Sequence, residues 1–200
     1  VKEVNCLYRV RDAIAEHRDD PDRLMDNVVR LIPAVWRDPQ HTAARILWRD
    51  RACIAGNFAD GRPTLRAPIV VDSETVGSVD VVHTGLDDSG RDAPFLPEER
   101  ALLDEIAARL GTALAQERAR RDRRRDREQM LALFEGMDDV IYVADPDTYE
   151  LLWVNQAFHR AWGGDVLGKP CHRALHEREK PCPFCTNDLI FGENEGKTHV

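Results

Sequence analysis

The sequence predicts an α+β chain in three parts: an antiparallel sheet with flanking helices, a long connecting helix, and an incomplete α/β domain. Three observations lead there. Strand-like runs between residues 42 and 83 are enclosed by segments of helical period. One heptad phase then persists from about Pro97 to Phe134. Finally, the charges fall into blocks of alternating sign, and the short basic block lies inside that heptad segment.

From the start, Val4, Leu7, Tyr8, Val10, Ile14 and Ala15 recur at helical spacing. Asp20-Pro21 closes this segment and opens another, because aspartate suits a helix cap and proline the first helical position. The second helix is expected from Pro21 to about Trp36, with Leu24, Val28, Leu31, Ile32 and Val35 on one face. Beyond Asp38-Pro39 the pattern changes to strands at Thr42–Trp48, Cys53–Phe58, Leu65–Val71 and Val76–His83. Turn residues separate them: Arg49-Asp50, Asp60-Gly61-Arg62-Pro63 and Asp72-Ser73-Glu74. The closing helix opens at Pro97-Glu98-Glu99, where acidic side chains suit the positive end of a helix dipole.

The heptad phase steps through Leu103, Leu110, Glu117, Arg124 and Leu131, and through Ile106, Ala113, Arg120, Arg127 and Phe134. A helix over 97–135 would be about 57 Å long, a rod between two domains. Its seam is polar between Glu117 and Arg127, which would weaken a coiled-coil dimer at that point. Residues 117–128 hold 7 arginines and 4 carboxylates, against 15 basic and 20 acidic residues in 1–116 and 6 and 12 in 129–200. Interleaved carboxylates and an acidic chain argue for a solvated helix and against nucleic acid as a partner.

The 200 residues are 42% hydrophobic and 32% charged, with a net charge of −8, which fits a globular protein and excludes collagen-like or low-complexity chains. No apolar run approaches the roughly 18 residues of a membrane span, so no membrane contact is expected from this segment. Five cysteines at scattered spacings, without a secretion signal, suggest a reducing, cytoplasmic setting and no disulfide framework. The chain opens on valine and ends at Thr198-His199-Val200 without a capping or turn signal, which suggests a piece of something longer.

The hairpin "LRAPIVVDSETVGSVDVVH", with its Pro68 and Gly77, together with "FLPEERALLDEIAARLGTAL" and the opening "EVNCLYRVRDAI", resembles a GAF domain over residues 1–116. The resemblance implies an antiparallel sheet between helices and either a dimerising, structural role or a small-molecule pocket. An "NKFDE"-type nucleotide signature is absent, and the connection from Phe58 to Thr64 is too short for a lid. Further on, "DDVIYVADPDTYELLWVNQAFHRAWGGDVLGKPC" resembles the start of a PAS domain, covering 136–200. It brings strands at Val140–Ala144 and Leu151–Val154 and a turn at Asp145-Pro146-Asp147. The resemblance implies about three more strands beyond residue 200, and an output module such as a histidine kinase or diguanylate cyclase.

Most of the candidate chemistry lies between Lys169 and Cys185. Cys182 and Cys185 form a C-x-x-C, a spacing that lets two thiolates share one tetrahedral ion, and Cys171, His172 and His176 stand upstream. Cys171, Cys182, Cys185 and His176 are the candidate metal ligands, for zinc or an iron–sulfur cluster. A redox-active thiol pair and plain packing of small apolar thiols are the competing readings. "PCHRAL" departs from the "NCRFLQ" of flavin-binding photosensors, which argues against light sensing. Cys6 and Cys53 are expected in the core, and Trp36, Trp48, Trp153 and Trp162 in core or interface. His41, His83 and His159 carry no assigned chemistry.

No phosphate-binding loop, nucleophile elbow, HExxH or kinase glycine loop occurs, so no catalytic centre is expected. The expected function is the sensory and dimerising region of a bacterial signal-transduction protein, a homodimer through the connecting helix that answers a small-molecule or redox signal. The alternative is a metal- or redox-binding protein that uses the cysteine cluster.

Overall fold

A computed structural model describes residues 2–60, 62–84, 95–187 and Phe191. Gly61, in one of the expected turns, and the end of the 136–200 segment beyond Phe191 lie outside the described residues. The chain divides into two compact units, Val1–Asp122 and Arg123–Val200.

In the first unit, α1 (Lys2–Glu16) and α2 (Pro21–Leu31) precede four strands: β1 (Thr42–Trp48), β2 (Arg51–Ala55), β3 (Thr64–Val71) and β4 (Glu74–His83). They form an antiparallel sheet in the order β2-β1-β4-β3. The Asp20 side chain accepts from the Arg23 amide at 3.1 Å and caps α2, with Pro21 in the first turn. α2 ends at Leu31, short of the expected Trp36, because Pro33 cannot continue an α-helix and the chain tightens into a 3₁₀ turn over Pro33–Val35. The second strand likewise starts and stops earlier than expected. Ala55 is its last residue, and Gly56 follows with φ of +80°, a left-handed conformation in which a strand does not continue.

Alternation in β3 is complete: Leu65, Ala67, Ile69 and Val71 are buried, and the residues between them are exposed. Pro68 is tolerated because β3 is an edge strand. Val79 and Val81 of β4 sit between Ile46 and Ala44 of β1 and Ala67 and Leu65 of β3. This face packs against Cys6 and Val10 of α1, Leu24, Met25, Val28 and Val29 of α2, and the start of helix α3 (Pro97–Glu135). Cys6, Cys53, Trp36 and Trp48 belong to that core, as the sequence suggests.

Leu103, Ile106 and Leu110, the upstream apolar members of the heptad phase, are fully buried in the same core. The seam that reads as a dimer interface is therefore consumed within one chain as far as Leu110. The helix opens on a buried acid: Glu99 accepts from the Leu96 amide at 3.0 Å and the Arg37 amide at 3.3 Å, satisfying a free amide at the helix start.

In the second unit, the end of α3 leads to a two-stranded antiparallel sheet of β5 (Tyr142–Ala144) and β6 (Leu151–Val154). Helices α4 (Gln156–Trp162) and α5 (Cys171–His176) follow. A small core joins Leu151, Val154, Phe158 and Val166, with Ala144, Cys171, Ala174 and Leu175 packed against it. Of the core or interface positions expected for Trp162, the core is not the one it takes: it is 45% exposed. One face of its ring packs on Phe158 at 5.0 Å between centroids.

Candidate functional site

Asp145 sets up the turn between β5 and β6: its carboxylate accepts from the Asp147 amide at 2.9 Å and the Thr148 amide at 2.8 Å. Those two bonds hold the Asp145 carboxyl below the usual range, since they favour its charged form. Past the turn, Tyr149 accepts through its carbonyl from the Cys171 amide at 2.8 Å, and Glu150 bridges to Pro170. Cys171 is thus pinned at the head of α5 beside the first residues of β6. Its side chain is half-buried against the small core.

Helix α5 lasts only as far as His176. Glu177 takes a left-handed conformation, and the amides of Glu177 and Arg178 close on the carbonyls of Arg173 and His172. The chain then reaches the C-x-x-C, where the Cys185 amide donates to the Cys182 carbonyl at 3.0 Å. Asn187 donates from its side chain to the Pro146 carbonyl at 3.1 Å, tying this turn back to the β5–β6 turn. Phe184 meets the His176 ring edge to face at 5.4 Å.

All five thiols are unbridged. Burial pushes the Cys171 thiol up, and the nearby Cys185 and Cys182 add to the rise. The Tyr142 hydroxyl is raised by burial and by the same three thiols. Cys171, through Tyr149, and the C-x-x-C, through Asn187 and Pro146, are both tied to the β5–β6 turn. His176 is exposed at the end of α5, whereas His172 is buried, packs edge to face on Tyr149, and leaves its Nδ1 without a hydrogen bond among the described residues.

Three thiols and an imidazole are the donor types that zinc and iron–sulfur clusters take. Among the described residues, however, no group of three or more His, Cys, Asp or Glu side chains is arranged to hold a metal ion. As it stands, the stretch presents a two-thiol turn and a third thiol on a separate anchor.

One residue here has a larger structural role than the sequence reading gave it. Asn155 is wholly buried, and its side chain bonds four backbone groups in three segments. Its oxygen accepts from the amides of Ile141 at 3.0 Å and Phe158 at 3.1 Å, while its nitrogen donates to the carbonyls of Phe134 at 3.1 Å and Asp139 at 2.8 Å. The end of α3, the entry to β5 and the start of α4 are therefore held by one amide. An asparagine just ahead of an apolar helical run is a capping signal that sequence reasoning could have used.

Residues 128–195 match the family model of the PAS domain, and this match points to a sensory signalling role. No curated protein matches the chain. Among the described residues, no helix is long and apolar enough to cross a membrane.

Proposed function

We propose that the chain is the sensory and dimerising region of a bacterial signal-transduction protein, with a GAF-like first unit, the helix α3 as connector and a PAS domain after it. The observation that carries this reading is the PAS match over residues 128–195. A signal taken up in either unit would act by favouring one of two arrangements of α3, and it must bind those arrangements with different affinity. The output module would follow residue 200 and would be a histidine kinase or a diguanylate cyclase. With Leu103, Ile106 and Leu110 buried in the unit's own core, a homodimer through α3 would use the helix beyond them, where Met130, Leu131 and Leu133 are exposed.

Reading the coding region beyond Val200 and attaching the natural downstream module tests the proposal. A module whose activity changes when Asn155 is replaced supports it. A coding region that ends at Val200, or a module indifferent to changes in this chain, overturns it. Light scattering tests the dimer: a mass of twice the chain is expected, lowered to one by Leu133→Glu with Met130→Glu.

The tie of both Cys171 and the C-x-x-C to the β5–β6 turn favours one second reading, a metal- or redox-binding protein. In that reading Cys171, Cys182, Cys185 and His176 hold zinc or an iron–sulfur cluster, or Cys182 and Cys185 form a reversible disulfide. Metal analysis and absorbance of anaerobically purified protein decide. One equivalent of zinc or iron-linked colour, lost on Cys182→Ser with Cys185→Ser, supports a metal site. Metal-free protein with a dithiothreitol-reversible bond between Cys182 and Cys185 supports the redox form, and neither result sinks both.

A further inference from the structure

A cavity of about 400 Å³ opens in the first unit between α1, the start of α2 and α3. That volume lies in the range of roughly 300 to 1,000 Å³ typical of small-molecule sites. Its floor is apolar: Leu24 and Leu114 are core residues, with Ile14 beside them. Its rim is cationic, carrying Arg11, Arg18 and Arg120. An apolar floor under a cationic rim suits a ligand with a hydrocarbon body and an anionic head.

The rim charges are weakly compensated. Among the described residues, Arg11 has its ion pair with the adjacent Asp12 on the helix surface, where both side chains are more than half exposed, and it lies over the Tyr8 ring at 5.0 Å. Arg18 has no ion pair among the described residues. Arg120 donates through Nη2 to the Arg18 carbonyl at 3.2 Å, and its side chain is 37% exposed at the cavity. Its ion-pair partner among the described residues, the exposed Asp19, stands 4.0 Å away, beyond hydrogen-bond reach. A guanidinium with so loose a carboxylate partner can take an anionic ligand oxygen in a charge-assisted hydrogen bond.

Two acids limit the ligand's charge. Glu117 lines the cavity, its carboxylate held by Arg121 at 2.8 Å, and Asp19 stands at the rim. They would repel a dianionic phosphate more than a singly charged group.

We propose that this cavity binds a small organic monocarboxylate with an apolar tail, its head group on the Arg120 guanidinium and its tail over Ile14, Leu24 and Leu114. The site lies outside residues 128–195 and outside the cysteine stretch, so it depends on neither the sensory reading nor the thiol reading.

Calorimetric titration of the 200-residue chain with octanoate, octanol and acetate tests this. Octanoate is expected to bind with a Kd of about 1 mM or tighter, given what so small a ligand can gain. Octanol lacks the charge and acetate the tail, and each should bind at least about tenfold more weakly. Arg120→Met should weaken octanoate by about tenfold and leave octanol unchanged. Ala113→Phe, which fills the cavity wall, should abolish both. If Arg120→Met disturbs the melting curve, Arg120→Gln replaces it: the charge goes, a polar side chain stays, and the same loss is expected. Equal affinity for octanoate and octanol, full affinity in the Arg120 variants, or no heat with octanoate overturns the proposal.

Discussion

Arg66 and Asp80 are register partners on β3 and β4, and they meet through two parallel hydrogen bonds, Nε to Oδ1 at 2.8 Å and Nη2 to Oδ2 at 2.9 Å. Asp80 is wholly buried on the sheet face opposite the helices, while Arg66 is 58% exposed. Arg45 of β1 reaches the same carboxylate at 2.9 Å, lies over the Phe58 ring at 4.2 Å and is only 17% exposed. One acid thus ties three adjacent strands together. Its two cations differ sharply in how far they are removed from water.

That difference predicts unequal costs. Asp80→Ala leaves the mostly buried Arg45 with the exposed Asp60 as its one carboxylate partner among the described residues, and should lower stability by about 3 kcal/mol. Arg66→Ala removes a solvent-screened partner and should cost about 1 kcal/mol or less. Hydrogen exchange of the β4 amides measures both, and equal effects would show that the burial difference does not govern the pair.

Burial alone would raise the Asp80 carboxyl, but hydrogen bonds from Arg66, Arg45 and Ser78 and the charge of Arg66 outweigh it and hold the carboxyl below its usual range. A lowered folded-state pKa gives stability that is complete above the unfolded value of about 3.9 and is lost as pH falls through the folded value. The stability gap between the native chain and Asp80→Asn should be constant from about pH 5 to pH 8 and narrow below about pH 4. Urea titrations of both proteins across that range read it directly.

Asn155 offers a contrast between cap and hub. Asn155→Ala strands two amides and two carbonyls and should destabilise the second unit by about 3 kcal/mol. Asn155→Asp keeps the capping oxygen, yet turns an acceptor towards the carbonyls of Phe134 and Asp139. It should therefore come close to the alanine variant in cost, whereas a site that served only as a helix cap would tolerate aspartate. Thermal melts of the two variants separate these outcomes.

Gly111 lies in α3 where a side chain would run into the Val70 carbonyl of β3. In an exposed helix, Gly→Ala gains about 1 kcal/mol. Here it should cost about 2 kcal/mol, because α3 must lift from the sheet backbone. The neighbouring exposed Thr112→Ala serves as the control, and a stabilised Gly111→Ala would mean that α3 does not sit that close to β3.

What the sequence made legible follows from periodicity, and what it hid follows from long-range contact. Alternation located β3, and the helical spacing of Leu24 and Val28 located the buried face of α2, because both patterns are local. The fate of Leu103, Ile106 and Leu110 was hidden, since the same spacing serves a partner helix or the chain's own sheet. Asp80 stood unremarked in a strand, as its partners Arg45 and Arg66 lie 35 and 14 residues away. In the cysteine stretch the donor types were visible, but whether they converge depends on the Tyr149–Cys171 and Asn187–Pro146 contacts, which no spacing encodes.

Thiol chemistry gives the last separation. Burial and the acids Asp26 and Asp22 push the Cys53 thiol up to about 11 despite the opposing Arg51 charge, and burial also raises Cys6. Both are core residues, at 5% and 1% exposure, so little thiolate forms there at pH 8 and a reagent has little access to it. Cys171, Cys182 and Cys185 are all half-buried, but burial pushes the Cys171 thiol up. With an aromatic disulfide reagent at pH 8, the native chain should label first at Cys182 and Cys185, more slowly at Cys171, and at Cys6 and Cys53 only after denaturation. Peptide mapping of each labelled site reads the order. Early labelling of Cys53 would mean that β2 opens readily at the sheet edge, whereas protection of Cys182 and Cys185 in protein free of disulfide would point to a bound metal on those sulfurs.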